Sequence, residues 1–221
     1  MKKYFLVLGI LLLFSCKKAE PSGLSFYFES SQPINDAELA DIPNKFQGLF
    51  IDSDSVYLNI KGHVILRESF FKFKCHKNYI DSLKNDFVFS KGKYIAKDDN
   101  EVFDYRQLKD SIELSSKQID TFFIFSAAQK AKRFDGKLVL NYKDSLYWTV
   151  KSISLGKNSL KIKYMYTEQD IKRIDSLTKV KSTMLDSSSF VIKPSRNEFK
   201  RILNLKHLGE DVEYRKVAKY Y

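Results

Sequence analysis

Proline, glycine, cysteine and histidine are all scarce in this 221-residue chain, at 4, 8, 2 and 3 residues. So little proline and glycine excludes a collagen-like or low-complexity chain. Two cysteines, Cys16 and Cys75, are too few for a disulfide framework. The histidines are His63, His76 and His207, and a zinc site wants three or four His, Cys or carboxylate ligands at tight spacing. The adjacent Cys75 and His76 would point to opposite faces of a strand. Cys75 reads as a small buried hydrophobe and His76 as a surface residue, so no metal ligand is assigned. No apolar run reaches the roughly twenty residues of a membrane-spanning helix.

Catalytic signatures are missing as well. There is no Gly-x-Ser-x-Gly, no His-Glu-x-x-His, no Walker-type phosphate loop and no Gly-x-Gly-x-x-Gly. Asp52-Ser53-Asp54-Ser55 and Asp98-Asp99-Asn100-Glu101 lack the glycine and spacing of a calcium loop and read as solvated turns. Cys75, flanked by Phe71 and Phe73, has no evident base, so it does not read as a catalytic thiol. No catalytic residue and no cofactor site is assigned.

What the chain does have begins at its first residues. Met1-Lys2-Lys3-Tyr4 precede an apolar run from Phe5 to Phe14, and Ser15-Cys16-Lys17-Lys18 follow. A basic n-region, an apolar stretch of about ten residues and a small residue at the cut form a secretory signal. Leu13-Phe14-Ser15-Cys16 resembles the lipobox of bacterial lipoproteins: an aliphatic residue at minus three, a small one at minus one, then the cysteine. Phe14 is bulkier than the family's usual residue at minus two. The resemblance covers residues 1–16 only. It implies that 1–15 are a signal peptide, that the Cys16 thiol carries diacylglycerol, and that residues 16–23 are a lipidated tether. Two or three acyl chains anchor stably where one does not, at about 0.8 kcal/mol per buried methylene. Lys17 is not the aspartate that retains some lipoproteins at the inner membrane. Glu20 is the one acid among the residues just after Cys16, where some surface-exposed lipoproteins carry several. The expected place is therefore the periplasmic face of the outer membrane.

Losing Lys2 and Lys3 from the 38 basic residues leaves 36 against 27 acidic, a net charge of +9. Such a charge suits anionic headgroups or an acidic polysaccharide, and equally a lysine-rich solvated surface. Nucleic acid is not an expected partner of an exported chain. The ending Arg215-Lys216-Val217-Ala218-Lys219-Tyr220-Tyr221 reads as either a headgroup-touching tail or a frayed one.

From about Leu24 to Tyr166 the pattern is strand-like. Leu160, Ile162, Tyr164 and Tyr166 alternate with Lys161 and Lys163, and Leu146, Trp148 and Val150 alternate with Tyr147, Thr149 and Lys151. Phe71, Phe73 and Cys75 have opposite parity to Val64, Leu66 and Phe70, which predicts a bulge or bend near Glu68-Ser69. Gly48, Gly92 and Gly136 each open a similar segment, with third strands expected at Val64–Leu66, Ile112–Leu114 and Ile153–Leu155: a three-strand meander used three times. After Tyr166, Thr167 and Asp170 cap a helix expected from Glu168 to Lys181 with Ile171, Ile174 and Leu177 as its stripe. Phe190-Val191-Ile192 is a strand. Ser195 and Glu198 form a capping box for a second helix with Phe199, Ile202, Leu203 and Lys206 inward, stopped by Gly209. A last strand spans Val212–Val217.

The fold class is α+β: mainly an antiparallel β meander, as a sheet or half-barrel, with two late amphipathic helices. Residues 24–221 form a single domain, with a C-terminal subdomain from about 167 as an alternative. The expected function is a membrane-anchored envelope lipoprotein that binds or scaffolds an envelope protein or polysaccharide without catalysis. Two alternatives stay open: a lipocalin-like carrier of an apolar ligand in an aromatic-lined half-barrel, and an envelope-polymer hydrolase with a cryptic site.

Overall fold

The computed structural model describes residues 25–76, 80–165 and 167–220. The signal peptide, Cys16 and the tether lie outside them. Strands dominate: β1 (Ser25–Phe28), β2 (Gly48–Ile51), β3 (Tyr57–Ile60), β4 (Val64–His76), β5 (Phe87–Ser90), β6 (Lys93–Ala96), β7 (Val102–Gln107), β8 (Ser111–Ile124), β9 (Gln129–Phe134), β10 (Lys137–Asp144), β11 (Tyr147–Leu155), β12 (Ser159–Tyr164), β13 (Thr183–Asp186), β14 (Ser189–Ile192) and β15 (Glu210–Val217). Three helices accompany them, α1 (Ile80–Asp86), α2 (Glu168–Leu177) and α3 (Arg196–Leu203). The fold is the expected α+β with two late helices; α1 has no counterpart in the sequence reading.

The strands form one open sheet in the order β13-β14-β1-β11-β12-β15-β2-β3-β4-β8-β7-β6-β5, with β10 and β9 branching from β11. Its pairs are antiparallel except β1 with β14, which run side by side from Ser25 and Ser189 to Phe28 and Ile192. A parallel pair needs a long crossover, and most of the chain lies between these two strands.

Each of the three glycines precedes or opens a meander: β2-β3-β4 after Gly48, β6-β7-β8 after Gly92 and β10-β11-β12 after Gly136. Gly92 and Gly136 both have φ +77°, following Lys91 at +50° and Asp135 at +48°. Two successive positive φ values make the tight turn whose twist suits a hairpin. Gly48, at φ +140°, does not share it. In the third copy Ile153–Leu155 continue β11, and the third strand is β12 instead.

Other expectations need correction. The bulge lies opposite Ile65–Leu66, where Phe122 is the extra residue of β8, not at Glu68-Ser69. Leu146 sits at the β10–β11 turn and is 75% exposed, because Ser145 takes φ +55° there. Helix α2 ends at Leu177 rather than Lys181. Thr178 leaves helical geometry, its hydroxyl donates to the Ile174 carbonyl, and Asp175 accepts from Ser182 N at 2.8 Å. Leu177 is consequently 65% exposed instead of joining the stripe. Helix α3 stops at Leu203, so Lys206 is exposed and Leu208 is buried in its place. Gly209 serves a different purpose: a β-carbon there would lie 2.3 Å from the Tyr164 carbonyl, and its N–H donates to buried Asp170 at 2.6 Å. Tyr166 and Tyr221 lie outside the described residues.

Three apolar clusters hold the sheet. The first packs Phe26, Phe28, Val139, Trp148 and Val150 against Ile171 and Ile174 of α2 and Phe199 and Ile202 of α3. The second gathers Phe50, Leu58, Ile60, Ile65, Phe123, Leu138, Leu140, Leu160 and Ile162. Val139 faces one and Leu138 and Leu140 the other, so β10 is buried on both faces and reads as a continuous apolar run. The third is smaller: Ala96, Phe103, Ile112 and Leu114, with Phe73, Cys75, Leu83 and Phe87 beside them. The long β4–β8 pair connects it to the rest. Phe26, Phe28, Phe46, Phe50, Phe123 and Phe199 are at most 2% exposed, whereas Phe89 is 55% exposed. The buried rings pack against one another rather than line a cavity.

Candidate functional site

Strand β1 stops at Phe28, and the chain turns through Glu29-Ser30-Ser31-Gln32-Pro33-Ile34-Asn35. Beside it β14 stops at Ile192, and Lys193-Pro194-Ser195 lead into α3. These two loops and Lys132 of β9 enclose a cleft of about 660 Å³ lined by Glu29, Ser30, Gln32, Lys132, Lys193, Ser195 and neighbours. Because β1 and β14 are parallel, both loops leave from the same end of the sheet, which is how open sheets place ligand crevices.

The floor of the cleft is polar and buried. Gln32 is 1% exposed, Lys132 4% and Asn141 0%. Buried polar groups are costly unless hydrogen-bonded, and these three mostly satisfy one another's loops. The Asn141 amide accepts from Gln32 N at 2.6 Å and donates to Gln32 O at 2.8 Å. The Lys132 ammonium donates to Ser31 O at 3.1 Å and Pro33 O at 2.8 Å. Burial pushes the Lys132 pKa down; Glu38 and Asp36 counteract that only in part. The Gln32–Pro33 peptide is cis. Gln32 Nε2 donates to Ser30 O at 3.0 Å, while Gln32 Oε1 is buried with no hydrogen-bond partner in the protein.

The rim is charged in pairs. Lys193 meets Glu29 at 2.6 Å, and Arg196 grips Asp36 with two nitrogens at 2.5 and 3.0 Å. Ser195 caps α3, its hydroxyl donating to Glu198 at 2.7 Å, and these contacts hold the Glu198 carboxyl below the usual range. Arg196 in turn stacks over Phe134 at 4.7 Å. Such a cleft can hold a polar ligand through alternating donors and acceptors. Of its nucleophile-type side chains, Ser195 is engaged by Glu198, Lys132 by two carbonyls and Lys193 by Glu29.

Sequence reasoning singled out Ser195 and Glu198 as a cap but missed the cleft. A Ser-Ser-Gln-Pro run signals a turn; that it meets Lys132 and α3 depends on long-range pairing. The other residues weighed from sequence are dispersed. Cys75 packs in the third cluster, and burial pushes its thiol pKa up, while His76 is exposed. Asp52 accepts from the N–H groups of Asp54 and Val56, both at 2.9 Å, as a turn residue does. Among the described residues, no three His, Cys, Asp or Glu side chains are placed to hold a metal. No helix among the described residues is long and apolar enough to cross a membrane. Cys16 lies outside them.

The C-terminal segment is held down. Tyr220 packs on Tyr57 at 5.1 Å and Phe70 at 6.0 Å between ring centroids, and its hydroxyl accepts from Asn59 at 3.0 Å. The fraying expected as one reading therefore does not extend to Tyr220.

No protein-family model matches this chain, and no curated protein or solved structure matches it either.

Proposed function

We propose that this chain is a bacterial lipoprotein, cut before Cys16 and anchored through acyl chains on that cysteine, which acts in the cell envelope by binding rather than catalysis. The observation that carries the anchor is Leu13-Phe14-Ser15-Cys16 at the end of a short apolar run, nine residues ahead of the first strand at Ser25. The recognition site is the cleft between Glu29–Asn35 and the start of α3. Its partner is an envelope polysaccharide or protein segment rich in hydroxyl or amide groups. The pairing of Lys193 with Glu29 and of Arg196 with Asp36 supports a neutral polar ligand over a strongly charged one.

The expected location is the periplasmic face of the outer membrane, on the strength of Lys17 and Lys18 after the cysteine. Two other readings have weaker support. An apolar carrier needs a cavity, whereas the large buried aromatics are packed into clusters. A hydrolase needs an activated nucleophile beside an acid or base, whereas the cleft's carboxylates Glu29 and Glu198 are engaged with Lys193 and Ser195.

A photo-crosslinking residue at exposed Ser30, introduced into the lipidated protein in cells, tests the binding role. A specific adduct with an envelope component, reduced by Lys132→Met, is the expected result. Absence of any adduct from Ser30 and equally from Lys193 positions overturns it.

A further inference from the structure

Ser25, the described residue nearest Cys16 in sequence, lies beside exposed apolar side chains. Ser25 opens β1 and is in register with Ser189 of β14; Phe26, Phe190 and Met184 form one row across β1, β14 and β13. Strands lie about 4.8 Å apart, so Met184 is roughly 10 Å from Phe26. The row descends in burial outward: Phe26 is 2% exposed, Phe190 is partly buried against the same core, and Met184 is 63% exposed. Leu185, the extra residue of a bulge on this edge strand, is 38% exposed. Leu177, at the end of the helix packed over β1, is 65% exposed, while Val180 just after it is buried in that core.

The charges nearest these side chains in sequence are balanced, Lys179 and Lys181 against Asp175 and Asp186, and Lys181 donates to the Asp175 carbonyl. Lys179 and Lys181 are exposed beside Leu177 and Met184 in sequence. Between Cys16 and Ser25 the chain reaches at most about 32 Å when fully extended. An edge strand that exposes Met and Leu therefore lies within reach of the anchor.

We infer that the β13–β14 hairpin and the end of α2 rest on the membrane, with Leu177, Met184 and Leu185 entering the headgroup layer of the bilayer and the exposed Lys179 ammonium reaching its phosphates. This rests on the lipid anchor proposed above. Apolar side chains and lysine stems with charged ends suit that layer. Strand β1 then runs away from the bilayer, and the polar cleft at its far end faces the aqueous side.

The test uses the lipidated full-length protein in vesicles of phosphatidylcholine and phosphatidylglycerol. Nitroxide labels are placed at Met184→Cys and, separately, Leu185→Cys, each with Cys75→Ser, and Val88→Cys on the distant β5 serves as the reference. The expected result is that labels at 184 and 185 are shielded from a water-soluble nickel relaxant and reached by oxygen, while the label at 88 behaves oppositely. Making Lys179→Glu reduces the shielding by roughly fivefold in the engaged population, from about 1 kcal/mol per basic residue at an anionic surface. If intact mass shows acyl chains on Cys16 but both labels are as nickel-accessible as the reference, the inference fails and the anchor stands. If shielding occurs in native envelopes but not in lipid vesicles, a protein covers the hairpin and the inference is overturned. If Cys16 carries no acyl chain, the anchor itself fails.

Discussion

Glu68 of β4 and Lys117 of β8 meet across the sheet at 2.8 Å, under the ring of Tyr220. The Glu68 residue is 2% exposed, and Asn59 donates to its other oxygen at 3.1 Å. Glu68 pairs with Tyr57, the first residue of β3, and beyond it the β4–β8 ribbon continues alone toward the third apolar cluster. The Glu68–Lys117 contact ties three things together: the second cluster's edge, the ribbon and the C-terminal segment.

Burial opposes ionisation of Glu68, but hydrogen bonds from Lys117, Tyr220 and Asn59 outweigh it and hold the carboxyl below its usual value. A depressed carboxyl stabilises the fold above the unfolded-state pKa near 4.5, and that contribution disappears as pH falls through the lower folded value. Glu68→Gln is therefore expected to flatten the acid limb of stability below about pH 4.5 and to lower stability at pH 7. Denaturant melts of both proteins from pH 3 to 7 check this; an unchanged acid limb contradicts it.

Lys132 is shifted in the same direction, but at neutral pH its shift disfavours the charged form instead of stabilising it. Burial lowers its pKa, so the unfolded chain binds the proton more tightly, and stability rises with pH between the folded value and 10.5. Lys132→Met removes this slope. It also leaves the carbonyls of Ser31 and Pro33 without their donor, at about 1–3 kcal/mol for each one left buried. Chemical denaturation of wild type and variant at pH 7 and 9.5 measures both effects.

Asn141→Leu is expected to loosen the Glu29–Asn35 loop while keeping β10 in place. Its two hydrogen bonds to Gln32 are lost, again at about 1–3 kcal/mol per unsatisfied buried group. Hydrogen exchange at the Gln32 amide should accelerate strongly, with Leu138 and Leu140 amides little changed. Equal acceleration at all three would mean that Asn141 supports the whole core instead.

The third cluster is small and joined through a ribbon, so it should open on its own. Phe103, 5% exposed, contacts Phe71, Phe73 and Phe87 edge-on. Phe103→Ala removes about 3–5 kcal/mol of packing, more than so small a unit can lose. Amide protection is expected to collapse over 93–115 and persist over 138–162. Loss of protection in both segments together would show a single cooperative unit.

Local signals were the legible ones. Both capping boxes, Thr167 with Asp170 and Ser195 with Glu198, form as their spacing implies, and the three meanders start where Gly48, Gly92 and Gly136 stand. What escaped is long-range. Alternation cannot tell that Phe122 is squeezed out as a bulge, since the register of β8 is set by its partner β4. Nor does the stripe of α2 reveal that Thr178 and Asp175 end the helix early and expose Leu177. The cleft was illegible for the same reason: Gln32 and Asn141, which hydrogen-bond in its floor, are 109 residues apart.

The intact mass of the protein extracted from membranes tests the central claim most directly, beside a Cys16→Ala variant. The anchored-lipoprotein account predicts a chain that starts at Cys16 and carries two or three acyl chains, with both the cut and the lipid lost in the variant. A mass equal to the uncleaved chain, or to a cleaved chain without lipid, would contradict it.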